Sequence, residues 1–332
     1  MKNTDYANIV GTGIYVPEKI VTNDDLSRIL GEDINPFVTS VLGIHERHVC
    51  AENESTADLA THASRQALEA ARLDAGDLDL IILATDTPEQ LSPATSVVVQ
   101  HRLGAVNAGT FDVNCACAGF VTALDTASKF IIADSAYRNV LVVGAYAISK
   151  YLDWHDKKTA TIFADGAGAL VLQANNERPG YLAGRLHADG SFHDHMGIYA
   201  GGTHLPITSE VLEEGVWTKV RFAKKYPAEV NTEGWPAIVE QVLAKAKLAR
   251  YDIKLFLFTQ VNLSTIKEVM AKLELPMDRT HTIMHKWGYT GSACIPMVLH
   301  DAVNAGKLSP GDNVIMCASG GGLNMACVAF RW

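Results

Sequence analysis

The chain has 332 residues, of which 48% are apolar, and its formal net charge is −9 at pH 7. This length and composition predict a globular protein with a large core and about two domains, and exclude a disordered chain. The acidic charge argues against nucleic acid or an anionic membrane surface as the main partner.

Predicted strands and helices alternate along the first half of the chain. Residues 55–72 form the clearest helix, because Ser55 and Asp58 are spaced as a capping box and Ala and Leu fill its interior. Residues 78–85 and 140–144 are continuous apolar runs, typical of strands that are buried on both faces. Shorter elements are predicted as strands at 8–15 and 110–113 and as helices at 93–103 and 118–132. This alternation indicates an α/β layered fold.

Cys117 lies where the predicted strand at 110–113 gives way to the helix at 118–132. The unpaired N–H groups and the dipole of a helix N-terminus favour negative charge, so a thiol there is expected to lose its proton more easily. The small residues Ala116, Ala118 and Gly119 leave room for a tight turn and for a substrate to reach the sulfur. Cys117 is therefore predicted to be a nucleophile, whereas Cys115 is predicted to be a core residue.

Three segments of the first half recur about 174 residues later. The strand LIILAT at 80–85 is echoed by LFLFTQ at 255–260, and RNVLVVG at 138–144 is echoed by DNVIMC at 312–317. The helix after Cys117 is echoed by a helix after Gly291. Such a constant offset predicts a duplicated α/β unit. The predicted halves are 1–175 and 225–332, joined by an irregular segment at 176–224, and the site is expected where the carboxyl ends of their strands meet.

The polar and sulfur-containing residues give no sign of a metal site or of export. The six cysteines show neither the density of a disulfide scaffold nor paired CxxC spacing, and the His-rich stretch containing His193, His195 and His204 has no second ligand cluster. The N-terminus lacks a signal-peptide pattern and no run approaches 18 apolar residues. The sequence therefore predicts a cytoplasmic protein with reduced thiols, no metal, no cofactor and no membrane insertion.

Several motifs in order along the chain resemble those of the β-ketoacyl-acyl-carrier-protein synthase III family, a branch of the thiolase superfamily. They are GTGIYVP at 11–17, GIHERH at 43–48, NCACAGF at 114–120, FADGAGA at 163–169, QVN at 260–262 and ASGGG at 318–322. The resemblance implies a thiolase-like, five-layered α-β-α-β-α fold of two duplicated halves and a homodimer. It also implies an acyl-enzyme on Cys117, formed from an acyl-coenzyme A or acyl-carrier-protein thioester. Its oxyanion hole would use the backbone N–H groups of Cys117 and Gly321.

Two positions depart from the family pattern. Thr259 stands where the family has a His, and Tyr289 stands where it has an Asn, whereas the other motif Asn, Asn262, is kept. In the family, that His and that Asn hold the malonyl thioester while it loses carbon dioxide. Removing one such donor costs about 2.7–4 kcal/mol of transition-state stabilisation, so slow malonyl decarboxylation is expected. Tyr289 either donates to a developing oxyanion or to an incoming acceptor, or simply fills the vacated space.

The positions that bind substrate in the family are also altered. Phe37 and Lys157 match a Trp and an Arg that sandwich the adenine of coenzyme A; a Phe can still stack and a Lys can still meet a phosphate. Ser92 matches an aromatic residue through which the partner subunit closes the acyl pocket. The smaller side chain predicts a pocket that admits chains longer than acetyl.

These observations predict an acyltransferase that passes an acyl group from Cys117 to a carbon, hydroxyl or amine acceptor. The alternative is a catalytically reduced partner subunit of a heteromeric ketosynthase. Cys117 favours the enzyme, whereas Thr259 and Tyr289 favour the partner subunit.

Overall fold

The computed structural model describes residues 6–332. The strands are β1 (Tyr6–Tyr15), β2 (Lys19–Thr22), β3 (Glu46–Val49), β4 (Leu80–Ala84), β5 (Gly109–Val113), β6 (Asn139–Tyr146), β7 (Gly166–Asn175), β8 (Tyr181–Ala188), β9 (Met196–Gly197), β10 (Arg221–Phe222), β11 (Ile253–Phe258), β12 (Asn313–Gly320) and β13 (Asn324–Arg331). The helices are α1 (Asn23–Leu30), α2 (Asn35–Phe37), α3 (Thr56–Ala71), α4 (Thr95–Leu103), α5 (Gly119–Ala133), α6 (Lys157–Ala160), α7 (Ser209–Glu214), α8 (Glu229–Ala246), α9 (Leu263–Lys272), α10 (Met284–Trp287) and α11 (Cys294–Asn304).

Two large sheets share one pattern of strand order and direction. The first has the order β1-β7-β6-β4-β5 and the second has the order β8-β13-β12-β11. In the first sheet β1 pairs antiparallel with β7 and β7 with β6, and β6 then pairs parallel with β4. In the second sheet β8 pairs antiparallel with β13 and β13 with β12, and β12 then pairs parallel with β11. An isolated parallel bridge from Phe256 to Thr280 stands where a fifth strand of the second sheet would lie. The two sheets are therefore built from the same unit.

Helices and sheets stack in five layers. The central helices α5 and α11 contact strands of both sheets, so they form the layer between them. Helix α3 covers the outer face of the first sheet, and α8 covers the outer face of the second. The sequence-based prediction of a thiolase-like, five-layered α-β-α-β-α fold of two duplicated halves is confirmed.

The clearest predicted helix has the predicted cap. Helix α3 begins after Ser55, whose side chain accepts a hydrogen bond from the backbone N–H of Asp58, while the Asp58 carboxylate accepts one from the Ser55 N–H at 2.9 Å. The predicted strand at 78–85 is β4, and every residue of β4 is buried. The capping box and the apolar run each reflect local chemistry, which is why the sequence alone indicates them.

The segment at 176–224 is less irregular than the sequence predicts. Strand β8 lies within it and pairs antiparallel with β13, which makes it an edge strand of the second sheet. The prediction of irregular structure is therefore wrong at Tyr181–Ala188, because the pairing partner lies far away in sequence and local periodicity does not reveal it. The boundaries of the two halves stay a prediction.

One helical stretch, Ala116–Ala133, is long and apolar enough to cross a membrane by length and composition alone. It contains the central helix α5, which is packed between the two sheets. Its apolar character is that of a core helix.

Candidate active site

The turn between β5 and α5 holds Cys117 in a fixed position beside the second sheet. Ala116 has a φ of +46°, in the left-handed region, and the N–H of Gly119 donates to the Ala116 carbonyl at 2.9 Å. A Cβ atom on Gly320, at the end of β12, would lie 2.6 Å from the Cys117 nitrogen. Only a glycine lets β12 approach this closely, so the ends of the two half-structures meet at Cys117.

Burial dominates the protonation of Cys117. The residue is 2% exposed, and burial raises the pKa of its thiol well above the usual value, with the Asp86 carboxyl adding to the rise. A hydrogen bond from Tyr289 acts in the opposite direction. The expectation that the helix N-terminus makes this thiol acidic is therefore wrong, because the desolvation of a buried thiolate outweighs the helix dipole. The thiol must give up its proton as it reacts.

Tyr289 lines the same cavity as Cys117. Burial raises the pKa of Tyr289 well above the usual value, so its hydroxyl stays neutral, and that hydroxyl acts to lower the pKa of the Cys117 thiol. The backbone N–H of Tyr289 donates to Ile162 O at 3.1 Å, and its carbonyl accepts from Ala164 N at 2.9 Å. Its ring stacks on Phe163 at a centroid distance of 5.6 Å. These contacts fix the position of Tyr289, and its role as a hydrogen-bond donor or as a space-filling ring stays a prediction.

Thr259 and Gly321 lie on the wall of the same cavity. This cavity of about 170 Å³ is lined by Cys117, Thr259, Tyr289, Gly321 and a set of mainly apolar neighbours. The Thr259 side chain is 1% exposed, and its hydroxyl oxygen accepts a hydrogen bond from the backbone N–H of Ser319 at 3.0 Å. The four residues that the sequence assigns to catalysis are thus brought together.

Asn262 and Ser92 do not line this cavity. Asn262 is the N-cap of α9, where its side-chain oxygen accepts from the N–H of Ser264 at 2.9 Å, so its contact with substrate stays a prediction. Ser92 lies in the exposed loop before α4, on the surface of this protomer. Its role in an acyl pocket requires a second subunit and also stays a prediction.

A second cavity of about 600 Å³ adjoins the first and shares Phe222 and Tyr226 with it. Phe37, which is 54% exposed, and Lys157 both line it, so these two predicted binding residues lie together. Four lysines line this cavity: Lys157, Lys158, Lys224 and Lys225. Sequence reasoning named only Lys157, although the adjacent pairs Lys157-Lys158 and Lys224-Lys225 were a visible signal. Lys157 and Lys224 are ion-paired with Glu32 and Asp194, and the remaining positive charge of this basic mouth favours an anionic ligand.

A third cavity of about 240 Å³ shares Met196 and Gly321 with the first. Asp86 lines it and was missed in the sequence. It follows β4 directly, and polar residues at the carboxyl ends of buried strands commonly face sites, so its position was the available signal.

Across residues 6–332 no group of three or more His, Cys, Asp or Glu side chains is arranged to hold a metal ion. His193 lines the third cavity, whereas the side chain of His195 contacts Asp194 at 3.2 Å. The six cysteines are free thiols.

Two family descriptions match the chain. Residues 111–190 match 3-Oxoacyl-[acyl-carrier-protein (ACP)] synthase III, and residues 243–332 match the C-terminal part of the same family. A β-ketoacyl-[acyl-carrier-protein] synthase III of Syntrophomonas wolfei is 37% identical over 98% of this chain and 97% of its own length. Another, of Xanthomonas campestris, is 38% identical over 100% of both chains. The crystal structure of 3-oxoacyl-[acyl-carrier-protein] synthase III from Aquifex aeolicus superposes with a TM-score of 0.88 at 34% identity, covering 98% of this chain and 100% of that one.

Proposed function

This chain belongs to the 3-oxoacyl-[acyl-carrier-protein] synthase III family of condensing acyltransferases, and from that premise we propose that it forms an acyl-enzyme on Cys117. The acyl donor is an acyl-coenzyme A or acyl-carrier-protein thioester. The observation that carries the proposal is that Cys117, Tyr289, Thr259 and Gly321 line one cavity, which shares wall residues with both neighbouring cavities.

The donor enters through the second cavity. Phe37 stacks on the base of coenzyme A, and the lysines at the mouth neutralise its phosphates. The arm of the thioester then passes Phe222 and Tyr226 to reach Cys117. This route accounts for a cluster of cations on a chain whose net charge is −9.

Acyl transfer then follows from the groups around the sulfur. The Cys117 sulfur attacks the thioester carbonyl and loses its proton, a new sulfur–carbon bond forms, and the thiol of the donor leaves with a proton. The backbone N–H groups of Cys117 and Gly321 stabilise the oxyanion. Because the pKa of Cys117 is raised by burial, a donor from the neutral Tyr289 hydroxyl would stabilise the sulfur while it is charged.

The acceptor step differs from that of a typical family member. Thr259 cannot supply the imidazole donor, and its hydroxyl oxygen already accepts from Ser319 N. Tyr289 has one side-chain donor in place of an amide, and it acts to lower the pKa of Cys117. We therefore propose that malonyl decarboxylation is slow and that the acyl group passes to an altered carbon nucleophile, a hydroxyl or an amine.

A homodimer is part of the proposal. Strand β5 is the edge strand of the first sheet, and three large apolar side chains near it are exposed: Leu91 by 82%, Val97 by 40% and Val106 by 78%. An apolar sheet edge of this kind is suited to pairing with a second copy. The same contact would bring Ser92 of one protomer toward the other.

The test is mass spectrometry of the intact protein after incubation with a panel of acyl-coenzyme A donors. We expect an adduct of one acyl group that maps to Cys117, that is absent from Cys117→Ala and that persists in the matched control Cys115→Ala. An adduct that persists in Cys117→Ala, or that maps to Cys115, contradicts the assignment.

The second candidate is a catalytically reduced partner subunit, which the replacement of both family donors by Thr259 and Tyr289 favours. Mass spectrometry of the intact protein distinguishes this partner subunit from the acyltransferase. If no donor of the panel acylates the protein alone, while a complex with an active relative forms, the partner subunit is the better assignment.

A further inference from the structure

One oxygen of the Asp86 carboxyl group has no hydrogen-bond partner among the described residues. Asp86 follows β4, and this oxygen, Oδ1, is shielded from solvent. Burial raises its pKa to about 6, so the group is largely ionised at neutral pH. The residue as a whole is partly exposed and lines a cavity, so the carboxylate offers its accessible surface to a hydrogen-bond donor that the folded chain does not supply.

The cavity that Asp86 faces is polar on one side. Asn114, Tyr146 and His193 line it together with Asp86, and Met196 and Ile198 contribute apolar surface. A pocket for an unsubstituted alkyl chain needs no ionisable group, whereas a pocket that orients a polar group needs a few well-placed ones. The composition of this wall is therefore that of a site for a ligand with its own polar group.

This cavity lies beside the nucleophile. It is lined by Ala116, the residue before Cys117, and it shares Met196 and Gly321 with the cavity that contains the sulfur. The Asp86 carboxyl also raises the pKa of Cys117, which places the two groups within electrostatic reach. An acyl group on Cys117 can therefore extend into this cavity, while coenzyme A occupies the basic mouth on the other side.

We propose that the acyl group taken by Cys117 carries a hydrogen-bond donor, a hydroxyl or an ammonium, which binds the carboxylate of Asp86. The inference rests on the proposed function and names the substrate class of the same site. A plain alkyl chain would exclude water from the Asp86 carboxylate without supplying a hydrogen-bond donor, so the pocket selects against it. The preference follows from the general rule that a site built to hydrogen-bond a substrate group rejects the analogue that lacks it.

The test measures binding without requiring chemistry. Calorimetry on Cys117→Ala would compare butyryl-coenzyme A, 3-hydroxybutyryl-coenzyme A and β-alanyl-coenzyme A. We expect at least one of the two polar donors to bind about ten- to hundredfold more tightly than butyryl-coenzyme A, as a charge-assisted hydrogen bond predicts. Comparing 3-hydroxybutyryl-coenzyme A with β-alanyl-coenzyme A identifies whether the site binds a hydroxyl or an ammonium group.

Variants at Asp86 test whether this residue causes the preference for a polar acyl group. In the Cys117→Ala background, Asp86→Leu should remove the preference, and the isosteric Asp86→Asn should remove it for the ammonium while retaining part of it for the hydroxyl. Asp86→Asn keeps the test valid where Asp86→Leu fails to fold. The matched control is Glu213→Gln, which neutralises an exposed carboxylate on α7 and should leave all three affinities unchanged.

Binding of butyryl-coenzyme A as tight as that of both polar donors overturns the proposal, and so does a preference that survives Asp86→Leu. The acyl adduct on unmodified Cys117 is measured separately. If the protein prefers polar donors but forms no acyl adduct, the proposed acyltransferase activity is contradicted and the proposed polar acyl pocket is supported. If it forms an adduct but shows no preference, the activity is supported and the polar pocket is contradicted.

Discussion

At the scale of single residues, the surroundings of Cys117 determine its chemistry. A thiol at a helix N-terminus is commonly acidic, but this one is buried, and burial raises its pKa. The Tyr289 hydroxyl acts to lower the pKa of Cys117, and the raised pKa of Tyr289 itself keeps that hydroxyl protonated. Thr259 lines the same cavity, and its hydroxyl oxygen accepts from the backbone N–H of Ser319, whereas an imidazole would supply a cationic donor or a base. The site therefore stabilises a charged Cys117 sulfur better than the enolate that forms from a malonyl thioester.

The first prediction concerns these two replacements. The double variant Thr259→His with Tyr289→Asn should raise the rate of malonyl-thioester decarboxylation by about tenfold or more, because it restores two donors to the developing enolate. Each single change should do less, since groups that act on one atom are non-additive. Release of labelled carbon dioxide from malonyl-coenzyme A measures the rate.

The control for these two substitutions is a measurement of the stability of each variant. Tyr289→Asn removes a ring that stacks on Phe163, so the free energy of unfolding of each variant must be measured alongside. Rapid decarboxylation by the unmodified protein would sink the hypothesis that Thr259 and Tyr289 disable this step.

At the scale of elements, β1 and α3 pack with their backbones in unusually close approach. A Cβ atom on Gly13 would lie 2.3 Å from the carbonyl oxygen of Ala63 and 2.4 Å from the nitrogen of Ala67. Helix α3 presents alanines to β1, and β1 presents glycines to α3, so the outer layer lies close on the first sheet. This packing holds the sheet whose β4 and β5 lead to Asp86 and Cys117.

The second prediction tests this contact. Gly13→Ala should lower the free energy of unfolding by about 1–3 kcal/mol, because two backbone groups that cannot rotate away would have to move. The matched control is Gly76→Ala, where no atom lies within 4 Å of the added Cβ, and it should change stability by less than about 0.5 kcal/mol. Urea unfolding measures both; an equal effect of the two substitutions would contradict the close approach.

At the scale of the whole molecule, duplication creates the site. The first half supplies Cys117 at the end of β5, and the second half supplies Thr259 after β11 and Gly321 after β12. Because the two sheets have the same strand order, the carboxyl ends of their central strands face each other across α5 and α11. The free edge of β5 and the apolar side chains beside it then favour a second copy.

The third prediction is that the protein is a homodimer in solution and that Leu91→Asp with Val106→Asp shifts it toward monomer. Both side chains are exposed in the protomer, so the change should act on association rather than on folding. Light scattering on the size-exclusion peak measures the mass. Ile207→Asp, at a half-exposed apolar residue elsewhere, is the control and should remain dimeric. A monomeric unmodified protein would refute the prediction.

The sequence by itself determined the features that local chemistry controls. Three features depend only on residues that are close in sequence. They are the capping box at Ser55 and Asp58, the apolar run of β4 and the strand-to-helix turn at Cys117. The constant offset between repeated segments was enough to predict the doubled fold, because each half must bury the same kind of apolar faces. The motif order predicted the family.

Only the tertiary structure decided what depends on residues distant in sequence. The pKa of Cys117 is set by the burial that the whole core imposes, and the pairing of β8 is set by β13. The unpaired oxygen of Asp86 and the grouping of Lys157 with Lys224 arise where separate segments fold around one cavity. Desolvation and cavity walls are properties of three-dimensional packing, so no periodicity or spacing along the chain could reveal them.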